Sequence, residues 1–197
     1  MKRVLGILLM GWIVLTAAPV WSADTYLSGN LGFAFRPDSK LTGGSGKFDN
    51  DPAWILNGAI GTTLQSNLRV EAELAYHGNE ADRTTTGQSF DFSVLSLMGN
   101  AYIDIVNQSK LTPFFGAGLG LGSAGASESW SDSSDSDVVV VGQLMGGVAY
   151  DISPKAALTF QYRYFRTTDP AFNLNGPGFF ETEFISHDFL FGARFWF

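Results

Sequence analysis

Seven charged residues of both signs fall on one side of segments that alternate in polarity. They are Arg69, Glu71, Glu73, Asp104, Arg163, Asp188 and Arg194. Paired carboxylates suit acid–base chemistry, and a row of ionisable groups suits an ion path. Because acids and bases are interleaved, the pattern favours a third interpretation, in which opposite charges satisfy one another inside a narrow closed sheet. The sequence therefore predicts an ion-paired lumen, with a gated path for ions as the alternative.

The two histidines, His77 and His187, are the candidates for nucleophilic catalysis, because the second follows Ser186. A Ser–His mechanism requires a hydrogen bond between the hydroxyl and the imidazole. Successive side chains of a strand point to opposite faces, so Ser186 and His187 cannot form that bond within a strand. A lipid-active enzyme would need a Ser or Asp in contact with His77, and no motif supplies one. The sequence predicts that the protein is not an enzyme.

Two other stretches resemble ligand sites. Glu128, Asp132, Asp135 and Asp137 offer oxygen ligands for a divalent cation, but they lack the spacing of an EF-hand. A solvated loop is favoured there, and divalent-cation binding stays open. The glycines at 116–122 recur at period two with no helix after them, so they do not form a phosphate loop. No cofactor and no metal site is predicted.

Eight segments of alternating polarity position these residues, each near the length of a tilted membrane strand. They span residues 25–36, 53–64, 68–77, 93–105, 111–122, 138–150, 157–165 and 184–197. In the last segment one parity carries Phe189, Phe191, Phe195 and Phe197, and the other carries Asp188 and Arg194. A chain that stops on such a stripe, with no polar tail, indicates that the Phe face meets lipid and the charged face a lumen.

The connections alternate in length. Those after the second, fourth and sixth segments are short, and those at 37–52, 78–89, 123–137 and 166–183 are long and hydrophilic. Membrane barrels have short periplasmic turns and long outside loops. Their sheet must close on itself because lipid cannot form hydrogen bonds with the backbone of an unpaired edge strand. The sequence predicts an all-β, eight-stranded, antiparallel up-and-down transmembrane barrel with both termini in the periplasm.

The N-terminus and the charge place the chain in the exported class. Lys2 and Arg3 precede an apolar run at 4–18 and small residues before Ala23, as in a cleaved signal peptide. We expect a signal peptide at 1–23 and one barrel domain at 24–197. The mature chain would keep 10 basic against 19 acidic residues, which argues against a nucleic-acid partner.

Several stretches together resemble a known superfamily: SLMGNAYIDI at 96–105, TPFFGAGLGLG at 112–122, GQLMGGVAYDISP at 142–154, QYRYF at 161–165 and SHDFLFGARFWF at 186–197. This order is similar to that of the eight-stranded outer-membrane barrels, which include OmpA-type transmembrane domains, opacity proteins and bacterial surface antigens. The resemblance implies a monomer in the outer membrane of a Gram-negative bacterium, in contact with lipid and lipopolysaccharide.

The same resemblance implies insertion by the barrel-assembly machinery, with Phe189, Phe191, Phe195 and Phe197 as the C-terminal insertion signal. Members of the superfamily serve as envelope structural proteins, adhesins or surface antigens, and some are described as small pores. We therefore expect a non-enzymatic surface role in which four long loops contact extracellular or host ligands. The alternative is a narrow channel for small ions or solutes through the lumen.

Overall fold

The computed structural model describes residues 25–35, 53–65, 67–83, 88–128, 134–168 and 185–197. They form eight strands: β1 (Thr25–Phe35), β2 (Ala53–Gln65), β3 (Leu68–Arg83), β4 (Gln88–Asp104), β5 (Leu111–Glu128), β6 (Ser134–Ser153), β7 (Ala156–Thr167) and β8 (Ile185–Trp196). The predicted signal peptide at 1–23 and the predicted loop at 37–52 lie outside the described residues.

The strands close into a single antiparallel barrel in which each strand pairs with the next and β1 pairs with β8. The closing seam sets Leu27 opposite Phe195 and Leu31 opposite Phe191. The predicted all-β, eight-stranded, up-and-down barrel is thereby confirmed. Within the described ranges no helix is long and apolar enough to cross a membrane.

Alternation along each strand separates an apolar exterior from a mixed interior. Large hydrophobic side chains point outward on every strand, with Leu31 exposed by 63% and Leu119 by 71%. The buried side chains, including Arg69 and Arg163, point into the lumen. A soluble protein buries its large apolar residues and exposes its charges. This barrel reverses that distribution, which is the pattern of a sheet surrounded by hydrocarbon.

The two ends of the barrel differ, and we name them by their connections. At the turn end, β2 stops at Gln65 before β3 begins at Leu68, and β6 stops at Ser153 before β7 begins at Ala156. Asn107 folds the β4–β5 connection by donating to the carbonyl of Leu111 at 2.9 Å. The opposite end, where β1 and β7 stop and β8 begins, is the loop end.

Two of the four predicted long loops are wrong. The predicted loop at 78–89 is largely strand, because β3 runs to Arg83 and β4 begins at Gln88. The predicted loop at 123–137 is likewise shortened, since β5 runs to Glu128 and β6 begins at Ser134. The ladder continues past the alternating region, as in the pairing of Ala126 with Asp135.

The strands extend beyond the alternating region because backbone pairing continues a register that is already set. Alternation in polarity, in contrast, arises only where one face of the strand meets an apolar environment and the other a polar one. Glu128, Asp135 and Asp137 therefore belong to the ends of β5 and β6 rather than to one solvated loop. Asp132 lies outside the described residues, as does 169–184 of the predicted fourth loop.

Candidate functional site

The lumen contains the seven charged residues that the sequence singled out, and their close contacts lie at different heights. Near the turn end lie Arg69, Glu71 and Asp104, with Arg194 beside them. At mid-height Glu73 pairs with Arg163, and toward the loop end Asp188 contacts His77. The ionic interactions therefore form three levels along the barrel axis.

The turn-end level is organised around Arg69, which is 1% exposed. Its Nε and Nη2 atoms donate to the two carboxylate oxygens of Asp104 at 2.6 and 2.8 Å. Its Nη1 atom donates to Glu71 at 3.1 Å and to the Tyr26 hydroxyl at 2.9 Å. The Tyr26 hydroxyl in turn donates to Glu71 at 2.8 Å. Such a bidentate, multiply bonded guanidinium offsets the cost of burying its charge.

Arg194 departs from the predicted ion pairing. Within the described ranges it forms no ion pair, and its guanidinium carbon lies 5.1 Å from the ring centroid of Tyr26 and 5.5 Å from that of Trp196. Cation–π attraction to these ring faces takes the place of a carboxylate. Tyr26 and Trp196 lie opposite each other at the inward parity of β1 and β8, and the sequence analysis missed them. Aromatic residues at the polar parity of a strand were the available signal.

Buried aromatic residues also lie at the turn end of the lumen. Tyr102 and Phe114 pack edge to face at 5.8 Å, and they form a buried cluster with Met145, Ala149 and Ala157, against which Trp196 packs. The guanidinium of Arg69 lies 4.6 Å from the Tyr102 ring centroid. Charged side chains and aromatic rings thus pack together at this level of the lumen.

The mid-height level is a belt of amides around Glu73. The Oε2 atom of Glu73 accepts from Arg163 at 2.8 Å, from Asn57 at 3.3 Å and from Asn100 at 3.4 Å. The belt then continues outward on both sides.

Gln143 donates to Asn100 at 2.7 Å, while Asn30 donates to Asn57 at 2.8 Å and accepts from Thr159 at 3.0 Å. The belt thereby connects β7, β1, β2, β3, β4 and β6. These amides share the parity of the charged residues, and sequence reasoning missed their role in the site.

β5 and β8, which contribute no polar side chain to the belt, contribute glycine instead. A Cβ atom added to Gly118 on β5 would overlap the Oδ1 atom of Asn100, and one added to Gly192 on β8 would overlap that of Asn30. Glycine at these points lets a neighbouring side chain cross the strand closely. The glycine run of β5 is therefore part of the lumen packing.

At the loop end, Asp188 connects a serine to a histidine. Ser186 donates to one carboxylate oxygen of Asp188 at 2.5 Å, and the other oxygen lies 3.3 Å from Nε2 of His77. The contact between an acid and His77 that a lipid-active enzyme would need is therefore present. However, the carboxylate lies between the hydroxyl and the imidazole, so His77 does not activate Ser186 as a base would. His187 points outward, with Nδ1 2.6 Å from the Tyr162 hydroxyl.

An apolar cluster lies in the lumen beside this group. It consists of Val94, Met98, Val139, Val141 and Phe165. The Phe165 ring lies 4.5 Å from the His77 ring, and Ser186 and Asp188 are fully buried. In the part of the chain that the structure describes, no group of three or more His, Asp or Glu residues is placed to hold a metal ion.

The closed ladder, the apolar exterior and the polar lumen match a known family. The family model described as "Outer membrane protein beta-barrel domain" matches residues 5–194. The chain belongs to this family. No curated protein matches the chain by sequence.

Solved structures show the same fold for this outer-membrane barrel. Neisserial surface protein A is 20% identical with a TM-score of 0.68, over 89% of this chain and 98% of that one. The attachment invasion locus protein Ail of Yersinia pestis is 14% identical with a TM-score of 0.53, over 88% and 98%. The N-terminal barrel domain of Pseudomonas aeruginosa OprF is 16% identical with a TM-score of 0.51, over 88% and 98%.

The ion pair at mid-height generates the first prediction. Glu73→Gln leaves the buried Arg163 without a counter-charge, and Arg163→Met leaves the buried Glu73 without a counter-charge. Each should lower the free energy of unfolding by about 3–5 kcal/mol, whereas the double variant should lose less than the sum because no unpaired charge remains. Urea unfolding of the refolded barrel in lipid vesicles measures the three variants, and additive losses would show that the pair is not coupled.

The close contact between Gly118 and the amide belt generates the second prediction. Gly118→Ala should push the Asn100 side chain off Glu73 and lower the free energy of unfolding by about 1–3 kcal/mol through overpacking. Gly142→Ala on the neighbouring strand is the matched control, because its added Cβ would meet only Leu119 at 3.6 Å. The same urea assay should leave this control within about 0.5 kcal/mol of the parent. Equal midpoints for the two variants would contradict the belt's close packing.

Proposed function

We propose that this outer-membrane barrel is a non-enzymatic surface protein of a Gram-negative bacterium, with a sealed lumen and an exposed loop end. The observation that supports the proposal is the burial of side chains at mid-height and toward both ends of the lumen. Arg163 at mid-height is 0% exposed, with the apolar Phe165 cluster toward one end and the Tyr102 cluster toward the other. Eight strands enclose an interior that side chains can fill, so such a barrel serves through its ends and its outer face.

The proposed contact surface is the part of the sheet in which β3 to β6 extend beyond their neighbours at the loop end, which we call the wall. The last β2 partner of β3 is at Gly78, yet β3 continues paired with β4 to Arg83. β5 and β6 extend in the same way, to the pair of Ser127 with Ser134. Extracellular or host ligands would meet this wall and the connections at 36–52 and 169–184. A rigid sheet is a suitable support for a binding surface.

Insertion by the barrel-assembly machinery and a monomeric state belong to the same proposal. Phe189, Phe191, Phe195 and Phe197 all point outward and are exposed by 39 to 55%. An exposed aromatic stripe on the strand that closes the barrel is accessible to an insertion factor before the membrane covers it. The seam with β1 then satisfies the backbone of β8.

The orientation can be tested with single cysteines, because the chain has none of its own. Lys110→Cys lies at the turn end and Thr168→Cys at the loop end, and both positions are exposed. On intact cells a membrane-impermeant maleimide should label Thr168→Cys, and it should label Lys110→Cys only after the outer membrane is permeabilised. The reverse labelling would place the termini outside and overturn the proposed orientation.

The sealed lumen can be tested by conductance in planar bilayers. The refolded barrel, checked by heat-dependent gel mobility, should give no reproducible current steps, whereas a sixteen-stranded porin in the same bilayers provides the positive control. Current steps that change on neutralising Glu73 or Arg163 would overturn the sealed lumen and support a narrow channel for small ions or solutes.

A further inference from the structure

The loop end of the lumen contains a carboxylate that needs a compensating positive charge. Asp188 is fully buried, and it accepts a hydrogen bond from the Ser186 hydroxyl through one oxygen. Its other oxygen lies 3.3 Å from Nε2 of His77, which is 2% exposed. An ionised carboxylate away from water is costly unless a cation lies beside it. A neighbouring side chain is therefore needed to supply that cation.

Arg163 lies opposite Asp188 in the register of β7 and β8, but it pairs with a different carboxylate. Its Nη2 atom donates to Glu73 at 2.8 Å, and within the described ranges no ion pair joins Arg163 to Asp188. The Nε and Nη1 atoms of Arg163 are buried and donate to no described group. Glu73 thus compensates Arg163, and His77 is the side chain in contact with Asp188 that can become a cation.

The other described side chains that pack against Asp188 and His77 are apolar. Apart from Arg163, those that the strand register sets opposite Asp188, His77 or Ser186 are Ala34, Ile55, Val94 and Phe165. The Phe165 ring lies 4.5 Å from the His77 ring. Glu73 and Arg163 are therefore the other charged groups described near the pair. Apolar surroundings strengthen the attraction between opposite charges, because they lower the local dielectric constant.

Two effects act in opposite directions on the proton of His77. Burial disfavours the charged imidazolium, whereas the adjacent carboxylate favours it. With a neutral ring, Asp188 would remain an uncompensated charge in the lumen, and such a charge costs more than a buried pair. The Ser186 hydroxyl donates to the carboxylate, which suits the ionised form of Asp188. The effect of the carboxylate is therefore the larger one, and the ring keeps its proton.

We propose that Asp188 and His77 bind one proton between them at neutral pH, as a carboxylate paired with an imidazolium. We call this pair the latch, because it joins β8 to β3 across the lumen although the two strands are not neighbours in the sheet. The two strands between them carry alanine at this level, where Ala34 pairs with Ala53. Both alanines are buried, and their small side chains leave room for the latch to cross.

The latch lies where it can hold the loop end of the barrel together. β1 stops at Phe35, β2 begins at Ala53 and β8 begins at Ile185, so three strands end close to it. When alkaline pH removes the proton, Asp188 loses its counter-charge and the contact between β3 and β8 weakens. The barrel is thus more stable while the latch is protonated. The latch depends neither on the proposed orientation nor on the sealed lumen.

The proton can be observed by NMR of the full barrel, labelled with ¹⁵N-histidine and placed in phospholipid nanodiscs. The chain has two histidines, and His187→Gln assigns their signals. At about pH 7.5, where an ordinary histidine is about nine-tenths neutral, the His77 ring should show the two protonated nitrogens of an imidazolium. Asp188→Asn should convert the ring to a neutral tautomer at this pH. Ser186→Ala is the matched control, because it removes a hydrogen bond to Asp188 but keeps the charge, and it should keep the imidazolium.

The contribution of the latch to stability is measured by urea unfolding in lipid vesicles at a series of pH values. The unfolded chain releases the His77 proton above about pH 6.5, whereas the folded latch keeps it. The unfolding equilibrium constant of the parent should therefore rise with pH relative to that of His77→Gln, by up to about tenfold per pH unit. At about pH 5.5 the two pH dependences should be parallel, because His77 is then protonated in both the folded and the unfolded parent.

Three results would overturn the inference. One is a neutral His77 ring in the parent at about pH 7.5. Another is an imidazolium that persists in Asp188→Asn, which would assign the counter-charge to a different group. The third is a parallel pH dependence of unfolding for the parent and His77→Gln at alkaline pH. Current steps in planar bilayers or reversed cysteine labelling would instead overturn the proposed function and leave the latch standing, so the two failures are distinguishable.

Discussion

A strand inside hydrocarbon has no water to satisfy its backbone, so the first strand of this barrel must pair with the last. The seam that joins β1 to β8 meets this requirement along nearly the whole of β1. Closing the sheet at eight strands also fixes a lumen narrow enough for side chains to fill. Inward polar groups then depend on one another for partners, which most of the charged groups find, although Nε and Nη1 of Arg163 and Nε of Arg194 donate to none.

The three buried arginines are held in different ways. Arg69 bonds two carboxylates and a tyrosine hydroxyl, and Arg163 shares Glu73 with two asparagines. Arg194 rests against aromatic faces. Hydrogen bonds, amide belts and ring quadrupoles each offset part of the desolvation cost of a cation. Glycines on the intervening strands provide the space, so lumen electrostatics and lumen packing cannot be separated.

With the lumen sealed as we propose, the outer face and the loop end are the surfaces on which this protein would act. The outer face is not uniform, because leucine and phenylalanine cover most of it, whereas glycine and alanine form a depression beside Arg166. The loop end is uneven as well, since β3 to β6 continue beyond their neighbours. Both departures from a regular cylinder lie on the β3–β7 side, whereas the aromatic rings of Phe160, Phe189 and Phe191 cover the β7–β8 side.

The sequence alone determined the number of strands, their faces and their order, because alternation at period two is local and lipid demands it. It also predicted which charges lie in the lumen. It could not predict which charges meet, since Glu73 and Arg163 are 90 residues apart and His77 and Asp188 are 111 apart. Those pairings depend on register around the whole closed sheet. The extensions of β3 to β6 were missed for a related reason: where neither face meets lipid, only backbone pairing marks a strand, and pairing belongs to the tertiary structure.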